Sequence, residues 1–505
     1  MNQKIKGLLS AVLLVSTSAF AASTSMVKGE YNRPNAYLPD LNTRVEYDFC
    51  RLHSAEKNDD AVGFTVGAVG FIHFMPTGSR GGQAMAEGFS PKQNRAISLE
   101  GAVQSTNNAD SLYIDHFVLG RNDEDAATMT FDKVEHRRIG ARAGFNYALD
   151  NFYEGLWLGL NATVLYERNK VTMKYENGTP GTSASEIEKY FKGEAPSFVI
   201  ADRFAGASVT SGAQDSLSYL KIDSGKILSE TALNDVELLV GLKVINTDNA
   251  NVCVMLAGDV PTGVARKRDY LFQAVPGNRN IKVGAGACAV VKLVTEEAYA
   301  INFSADAQWR YGFNKKNEKI IPQHSSVAFA HYRLVAAKDA TKATPLANVL
   351  VANNVDVDVE SKNELNALAQ VSFEKGCFGL DLGYNLYWTQ EKTLKVNGTL
   401  GDKDSNKYYF VGRTWIPSAT GATSNSAFIP GTHADSNNKN AIQLSDFMDT
   451  TPAHVMHKVY VGATCLFSDW EFPLLVGVTG SYAFNQKRTV TPEVWGVSAK
   501  VGVSF

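Results

Sequence analysis

Two short motifs of the 505-residue chain combine residue types that can do chemistry. His454 and His457 lie three positions apart at the start of an apolar run, whereas two histidines that bind one metal from the same face of a strand need even spacing. Gly284-Ala285-Gly286 has the composition of a phosphate-binding turn, but no helix is predicted to follow it. Neither motif predicts a catalytic or metal site, so we expect neither an enzyme nor a cofactor.

Charged residues recur at every second position of long apolar runs. Arg138 and Arg142 alternate with Ile139, Ala141 and Ala143. Because successive side chains of a strand point to opposite faces, these charges share one face and the apolar residues the other. Charge at membrane depth is tolerated where it faces water or an opposite charge, so the pattern predicts a polar barrel interior. The predicted interior residues are Arg138, Arg142, Lys243, Lys282, Lys292, Asp306, Arg310, Asp381, Lys458 and Lys500, with Glu100, Glu167 and Glu237 as further acids.

Basic residues outnumber acidic ones in this set. Two arginines on one strand, Arg138 and Arg142, are expected to project together into the interior. A charge in a narrow, low-dielectric pore acts with less screening than at an open surface, which predicts a mild preference for anions. An interior lattice of salt bridges that seals the barrel is the alternative that the sequence leaves open.

The elements that carry these charges are runs of alternating polarity. Residues 156–166, 299–311, 378–388 and 495–505 alternate in this way over about a dozen residues each. Strands of soluble sandwiches average roughly five or six residues, whereas a tilted strand that crosses hydrocarbon is about twice as long. Tyrosine and tryptophan near the ends of the runs predict the aromatic girdles of a membrane barrel.

The connections between these runs alternate between short and long. Residues 171–232, 314–363 and 392–454 are long, which is typical of the outer face of a membrane barrel, whereas short turns face the periplasm. We therefore predict an all-β fold, a single transmembrane antiparallel barrel of about fourteen strands, with roughly 12 to 18 possible. The predicted strands begin near Val62, Arg95, Ser111, Lys133, Gly155, Leu233, Ala250, Ile281, Ala298, Glu364, Cys377, Val455, Phe472 and Val494.

The N-terminus has the pattern of a secretory signal. Lys4 and Lys6 precede a short apolar stretch, and Ala19-Phe20-Ala21 supplies a small-x-small cleavage pattern. We predict a signal peptide over residues 1–21, a periplasmic or plug segment over 22–60 and the barrel over 61–505. The mean hydropathy of −0.16 excludes a helical membrane protein, and a net charge of −3 gives no reason to expect nucleic acid as a partner.

One short sequence recurs. Pro76-Thr77-Gly78 and Pro261-Thr262-Gly263 each follow a predicted strand, and residues 89–91 and 272–276 end in Pro about a dozen positions further on. Proline cannot donate to a ladder and glycine takes turn conformations, so shared strand-ending chemistry explains the recurrence. An old duplication or a pair of matched gate loops are the alternatives.

The five cysteines are too scattered for a disulfide framework. Cys253 and Cys288 fall on predicted neighbouring strands, so a bridge is conceivable, but unpaired wall residues are the favoured interpretation.

The signal peptide, the alternating runs and a last run, 494–505, that ends in Phe505 resemble the porin-like outer-membrane β-barrels of diderm bacteria. In that group the final aromatic residue is an address for the assembly machinery, which implies this role for Phe505. The resemblance implies the outer membrane as location, with lipid, the barrel assembly machinery and small solutes as partners; a homo-oligomer stays open. The size also resembles that of the fatty-acid transporter barrels, which carry an N-terminal plug.

Three functions are therefore expected in this order. The first is a channel for passive diffusion of small hydrophilic solutes, and the second is a transporter of hydrophobic compounds with residues 22–60 as a plug. The third is a structural or adhesive barrel whose long loops meet another surface.

Overall fold

A computed structural model gives the structure of most of the chain. The described residues are 64–75, 96–100, 112–113, 126–177, 184–194, 215–234, 236–247, 249–265, 267–277, 280–296, 298–322, 330–337, 344–360, 362–400, 408–410, 442–447, 450–451, 453–467, 470, 472–485 and 493–505. The predicted signal peptide and the segment 22–60 lie outside the described residues.

Strands dominate the described part of the chain. In chain order they are β1 (Phe64–Phe74), β2 (Ala96–Glu100), β3 (Leu112–Tyr113), β4 (Ala126–Ala148), β5 (Leu156–Asn177), β6 (Ile227–Leu233), β7 (Val236–Thr247), β8 (Ala250–Val260), β9 (Lys282–Thr295), β10 (Ala300–Gly312), β11 (Lys315–Glu318), β12 (Leu334–Ala337), β13 (Thr344–Pro345), β14 (Asp356–Glu360), β15 (Asn363–Lys375), β16 (Phe378–Thr389), β17 (Lys392–Asn397), β18 (Tyr408–Phe410), β19 (Thr450–Thr451), β20 (His454–Phe467), β21 (Leu474–Asn485) and β22 (Val494–Ser504). Two α-helices, α1 (Ala184–Lys192) and α2 (Leu346–Ala352), and two 3-10 turns, Ala330–Tyr332 and Leu444–Asp446, lie between them.

Twelve of these strands close into an antiparallel barrel. Their order around the barrel is β1-β22-β21-β20-β16-β15-β10-β9-β8-β7-β5-β4, and β4 pairs with β1 to complete the ring. Closure leaves no unpaired edge, which is what a sheet in lipid requires. The predicted fold class is confirmed, and the twelve strands of the ring lie within the predicted range of roughly 12 to 18; the described runs that follow the predicted starts near Arg95 and Ser111 are β2 and β3. Those two short strands extend from the far end of β4 and do not cross the barrel wall.

The outer surface of the barrel is apolar and its inner surface is not. On β16, Phe378, Leu380 and Leu382 are 70%, 58% and 63% exposed, whereas Asp381 between them is 4% exposed. The other barrel strands alternate in the same sense, as their sequence runs predict. A closed sheet with an apolar exterior spans a bilayer as outer-membrane barrels do, which confirms the predicted location. Among the described residues no helix is long and apolar enough to cross a membrane.

Glycines on the inner face make room for large side chains of the neighbouring strand. The ring of Tyr460 lies over Gly383, directly opposite it, where a Cβ would fall 2.0 Å from the ring. The indole of Trp157 covers Gly241 in the same way. Such pairs fill the concave side of the wall without voids. The further pairs are Phe71 with Gly140, His73 with Gly496, Gln308 with Gly286 and Lys500 with Gly477.

The two ends of the barrel differ, as the connections predict. Short turns, such as 149–155 and 376–377, join strands at the end where Phe64 and Phe505 exchange backbone hydrogen bonds of 3.2 and 2.9 Å. Every long connection leaves from the opposite end. Because short turns face the periplasm in outer-membrane barrels, the long connections lie on the cell exterior.

The long connections pack together over the outer mouth. Parts of several connections, which leave the ring at different places, share one hydrophobic core with the top of β1, β4 and β5. We call this assembly the cap; its core includes Met75, Phe131, Ile187, Tyr190, Phe191, Leu220, Phe272, Tyr332, Leu346, Phe410 and Phe447. Because its members come from around the ring, the cap covers the barrel mouth.

Tyrosines tie the centre of the cap together. The Tyr190 hydroxyl donates to the Tyr332 carbonyl, and the Tyr332 hydroxyl donates to the Leu220 carbonyl at 3.0 Å. Burial raises the pKa of both phenols well above its usual range. The phenols therefore stay neutral and keep donating at physiological pH.

Cys253 and Cys288 face each other on β8 and β9 and form a disulfide, with their Cα atoms 5.2 Å apart. The prediction that these cysteines are unpaired is therefore wrong.

Candidate functional site

A continuous row of polar side chains lines the inner wall near its outer end, from β4 to β15. We call it the charged belt; it consists of Arg142, Asn161, Glu237, Asp259, Lys282, Arg310 and Glu364. Its members come from seven strands that are neighbours in the barrel but far apart in the chain. The register places Asn161, Glu237, Asp259 and Lys282 side by side on consecutive strands. The belt is thus a product of the strand register.

Glu237 is the centre of the belt. Its Oε2 accepts hydrogen bonds from Arg142 Nη2 at 2.6 Å and from Asn161 Nδ2 at 2.9 Å. Its Oε1 accepts from Arg310 Nη2. A carboxylate that two guanidinium groups share is held by charge-assisted hydrogen bonds, which are the strongest of protein hydrogen bonds. Glu237 and both arginines therefore form one fixed unit.

The belt continues on both sides of Arg310. Arg310 Nη1 donates to both carboxylate oxygens of Asp259 at 3.0 and 2.8 Å. Lys282, opposite Asp259 on the next strand, donates from Nζ to Glu364 Oε2 at 2.6 Å. Side chains of alternating sign thus form a chain of ion pairs along the wall. Each charge is compensated where it stands, as charges removed from water must be.

A second polar group, the rim quartet, lies above the belt on β4 and β5: His136, Arg138, Glu167 and Asn169. Arg138 Nε lies 3.3 Å from Glu167 Oε2, and His136 Nδ1 lies 2.7 Å from Asn169 Oδ1. Glu167 is 0% exposed and Asn169 is 3% exposed. Both also contact the connection between β8 and β9: Val275 N–H donates to Glu167 Oε1 at 3.3 Å, and Asn169 Nδ2 donates to the Phe272 carbonyl at 3.1 Å.

The wall opposite the belt is partly apolar. Val69, Phe71 and Leu475 of β1 and β21 are buried on the inner face. Lys500 Nζ lies 3.7 Å from Asp381 Oδ2, and Lys458 Nζ lies 5.8 Å from the centroid of the Tyr460 ring. The lumen therefore has a densely charged side and a more apolar side.

The predicted interior residues mostly occupy inner-face positions. Arg138, Arg142, Lys282, Asp306, Asp381 and Lys458 are buried there, and Arg310 and Lys500 are half-buried. Lys243 is half-buried opposite Cys253, near the periplasmic end. Lys292 is exposed beside a register shift near the turn to β10, so it does not line the enclosed lumen. Glu100 lies on β2, outside the barrel wall.

Two acids of the belt escaped the sequence analysis, Asp259 and Glu364. Both lie near an end of a strand, beside a proline or a turn. At such positions alternation alone does not decide which face of the sheet a side chain occupies. With them the enclosed acids equal the bases in number. The acids are Glu167, Glu237, Asp259, Asp306, Glu364 and Asp381, and the bases are Arg138, Arg142, Lys282, Arg310, Lys458 and Lys500.

The described lumen is closed. Inner-face side chains at different heights are shielded from solvent: Glu237 is 7% exposed near the outer end, Asp306 3% near the middle and Thr464 3% near the periplasmic end. Two glycines of the predicted motif, Gly284 and Gly286, accommodate Arg310 and Gln308 of the neighbouring strand.

The chemistry of the wall is that of ion pairing. Among the described residues no group of three or more His, Cys, Asp and Glu side chains is placed to hold a metal ion. His457 faces outward, where its Nδ1 lies 2.6 Å from the Tyr384 hydroxyl. At the periplasmic end the Phe505 ring stacks on Phe64 with centroids 4.5 Å apart, and its role in assembly stays a prediction.

Comparisons with known proteins give no family. No family model and no curated protein matches the sequence. Solved structures align over most of the chain. An outer-membrane channel from Pseudomonas putida F1 is 11% identical with a TM-score of 0.36, covering 89% of this chain and 100% of its own. The transport unit of the autotransporter AIDA-I from Escherichia coli is 8% identical with a TM-score of 0.30, covering 89% of this chain and 92% of its own.

A third aligned structure is a FadL homologue from Pseudomonas aeruginosa. It is 8% identical with a TM-score of 0.28, and the alignment covers 88% of this chain and 89% of the homologue. All three scores are too low to support an argument about function. The functional conclusion therefore rests on the lumen of this barrel.

Proposed function

We propose that this protein is an outer-membrane channel for passive diffusion of small hydrophilic solutes, and that the structure is its closed form. The observation that carries the proposal is the charged belt. A buried ion pair is seldom more stabilising than well-packed apolar side chains of similar volume. A barrel that served only as a scaffold would gain nothing from seven polar side chains on adjacent strands. Their presence supports a lumen that is meant to contain water.

The charge balance of the wall supports weak selectivity. The expected preference for anions depends on an excess of basic residues, with Arg138 and Arg142 as its main source. Arg142 pairs with Glu237 and Arg138 with Glu167, and the enclosed acids and bases are equal in number. Paired charges leave little net potential in the path. We therefore expect the anion preference to be slight.

Swelling of proteoliposomes in uncharged sugars tests the proposal. Purified full-length protein is reconstituted, and folding is checked by the heat-dependent change in electrophoretic mobility. We expect small sugars to enter and larger ones to be excluded, which gives a size limit. Folded barrels that admit no sugar, even the smallest, would contradict the proposal.

A second candidate, transport of hydrophobic compounds, is favoured by the apolar side of the lumen. Val69 and Leu475 form a buried apolar group there, Phe71 is buried on the same face, and Met456 packs with Ala483 and Val494 nearer the outer end. A channel with one charged and one apolar side suits amphipathic solutes as well as sugars. Uptake of a fluorescent hydrophobic probe by the same proteoliposomes, without entry of sugars, would favour this second candidate.

A further inference from the structure

The connection between β8 and β9 reaches the lumen rim rather than only the cap. We call residues 261–277 the closure segment; all of it except Arg266 belongs to the described chain. It begins with the repeated Pro-Thr-Gly motif and ends with the residues that match the second half of that repeat. Leu271, Phe272 and Ala274 of this segment are 2%, 3% and 3% exposed. The segment therefore lies folded inward at the mouth.

The closure segment has a narrow stem. Gly263 and Gly277 touch through their backbones, so that a Cβ on Gly277 would lie 2.4 Å from Gly263 Cα. Val264 N–H donates to the Pro276 carbonyl at 3.1 Å and closes the stem. Gly277 has a φ of +88°, which side chains other than glycine's rarely tolerate. The stem thus needs glycine at both positions. Neither Gly263 nor Gly277 has space for a Cβ, and Gly277 also has a positive φ.

The tip of the segment contacts the barrel wall through hydrogen bonds and a ring contact. Asn169 and Glu167 of the rim quartet bind the Phe272 carbonyl and the Val275 N–H, at 3.1 and 3.3 Å. The Phe272 ring meets Phe131 of β4 edge-on, with centroids 6.1 Å apart. His136 and Arg138 contact Asn169 and Glu167 from the neighbouring strand, β4. Both polar and aromatic contacts therefore connect a glycine-stemmed segment to the wall of the lumen.

On its other side the segment is bound to the cap. Arg268 Nη2 donates to the Val355 carbonyl at 2.9 Å and to Asp356 Oδ1 at 2.5 Å. Leu220 N–H donates to the Arg268 carbonyl at 2.8 Å, and Leu271 N–H donates to the Lys221 carbonyl at 3.1 Å. The segment is thus the piece of chain that joins the cap to the polar rim. Movement of the cap would pull it away from the rim.

We propose that the closure segment is the gate of the lumen, with the stem as its hinge and the rim quartet as its latch. This inference rests on the proposed function, since a gate needs a path to close. In the closed state the tip holds the rim polar groups out of water. Release of the Phe272 and Val275 contacts returns Glu167 and Asn169 to water and opens the mouth beside the charged belt.

Thiol labelling of the full-length protein tests the gate. Ala274→Cys introduces a thiol of similar size at a buried position, so a membrane-impermeant thiol reagent should modify it slowly. The parent protein, which has its own cysteines, gives the background labelling. Asn169→Ala removes one latch contact and leaves an unmatched carbonyl. Gly277→Ala disrupts the stem outside the barrel wall and so spares the barrel if Asn169→Ala impairs folding. Each should speed labelling of Ala274→Cys roughly tenfold, the ratio expected when about one hydrogen bond to a buried group is lost.

Single-channel recordings of the same variants complete the test. Open time should rise with labelling in Asn169→Ala and Gly277→Ala, whereas Glu188→Gln, a change at a half-buried residue of α1 outside the latch, should match the parent. If the parent conducts and both variants label and open like Glu188→Gln, the gate is overturned and the channel stands. If no variant conducts although labelling speeds up, the proposed function fails and the gate with it.

Discussion

Gly383 tests the packing of the inner wall at the scale of single residues. Because a Cβ at Gly383 would lie 2.0 Å from the Tyr460 ring, Gly383→Val should lower the free energy of unfolding by about 1–3 kcal/mol, as overpacking does. Because Tyr460→Ala removes the ring that the added side chain would meet, Gly383→Val should cost less in the Tyr460→Ala background than in the parent. Gly480 faces outward with nothing within 4 Å of an added Cβ, so Gly480→Val is the matched control. Urea unfolding of refolded protein measures all four; equal losses at Gly383 and Gly480 would refute the packing argument.

Glu237 tests the belt at the same scale. Glu237→Ala removes the carboxylate that pairs with Arg142 at 2.6 Å, whereas Arg310 keeps its ion pair with Asp259. Removal of one partner of a buried ion pair typically costs about 3–5 kcal/mol. Glu188→Ala, in an exposed pair with Lys192 at 3.6 Å, should cost well under about 1 kcal/mol. Thermal unfolding of the two variants side by side checks the difference, and similar losses would mean that the belt is solvated.

Most single lumen residues can be predicted from alternation, and the failures have local causes. Arg142 and Asp381 lie in the middle of long alternating runs, where the period of two decides which face of the sheet each side chain occupies. Asp259 and Glu364 lie at strand ends, and only the register reveals that they face the belt. Lys292 pairs with Asn302 of the inner face but is exposed, because it lies at the periplasmic end beside the turn to β10. The ion-pair partners could not be predicted, because they join strands that are distant in the chain.

The last strand carries the prediction at the scale of elements. Phe505 follows β22, is 39% exposed and contacts Phe64 and Phe472 at the periplasmic end. Phe505→Asp should reduce insertion into the outer membrane and leave secretion intact. Phe152, 84% exposed in the turn after β4, is the matched control because it is a phenylalanine at the same end. Equal surface levels of Phe505→Asp and Phe152→Asp would refute the assembly role.

At this scale the sequence predicts that a strand exists better than it predicts where the strand begins and ends. β4 and β5 run for 23 and 22 residues, longer than the membrane requires, and β5 pairs first with β7 and then with β6. Alternation continues past the bilayer because the outer halves of these strands pack against the cap. β2 and β3 add to this outer extension of β4, beyond the closed ring.

The orientation of the whole molecule predicts which residues can be labelled from outside the cell. Lys174, with a side chain 57% exposed, lies on the outer extension of β5, and Asn151 lies in the exposed turn between β4 and β5. On intact cells an impermeant thiol reagent should label Lys174→Cys and spare Asn151→Cys; both should react after lysis. The reverse pattern on intact cells would mean that the barrel has the opposite orientation in the membrane.

The cap is the feature of the whole molecule that the sequence did not predict. The long connections were expected as loops, yet they share a core with α1 and α2. Their apolar residues are spread over short stretches with no sustained period, so their packing partners cannot be read from the chain. The sequence left undecided whether the barrel is open or plugged, and the cap covers its outer mouth.

Reversal potential in a salt gradient is the measurement that tests the channel and its belt most directly. We expect discrete openings of the parent in planar bilayers, with a reversal potential near zero. Glu237→Gln removes one negative charge between Arg142 and Arg310 and should shift that potential toward anion permeability, whereas Glu188→Gln should not. Folded, inserted protein that never conducts, or a reversal potential that Glu237→Gln leaves unchanged, would contradict a solute path along the charged belt.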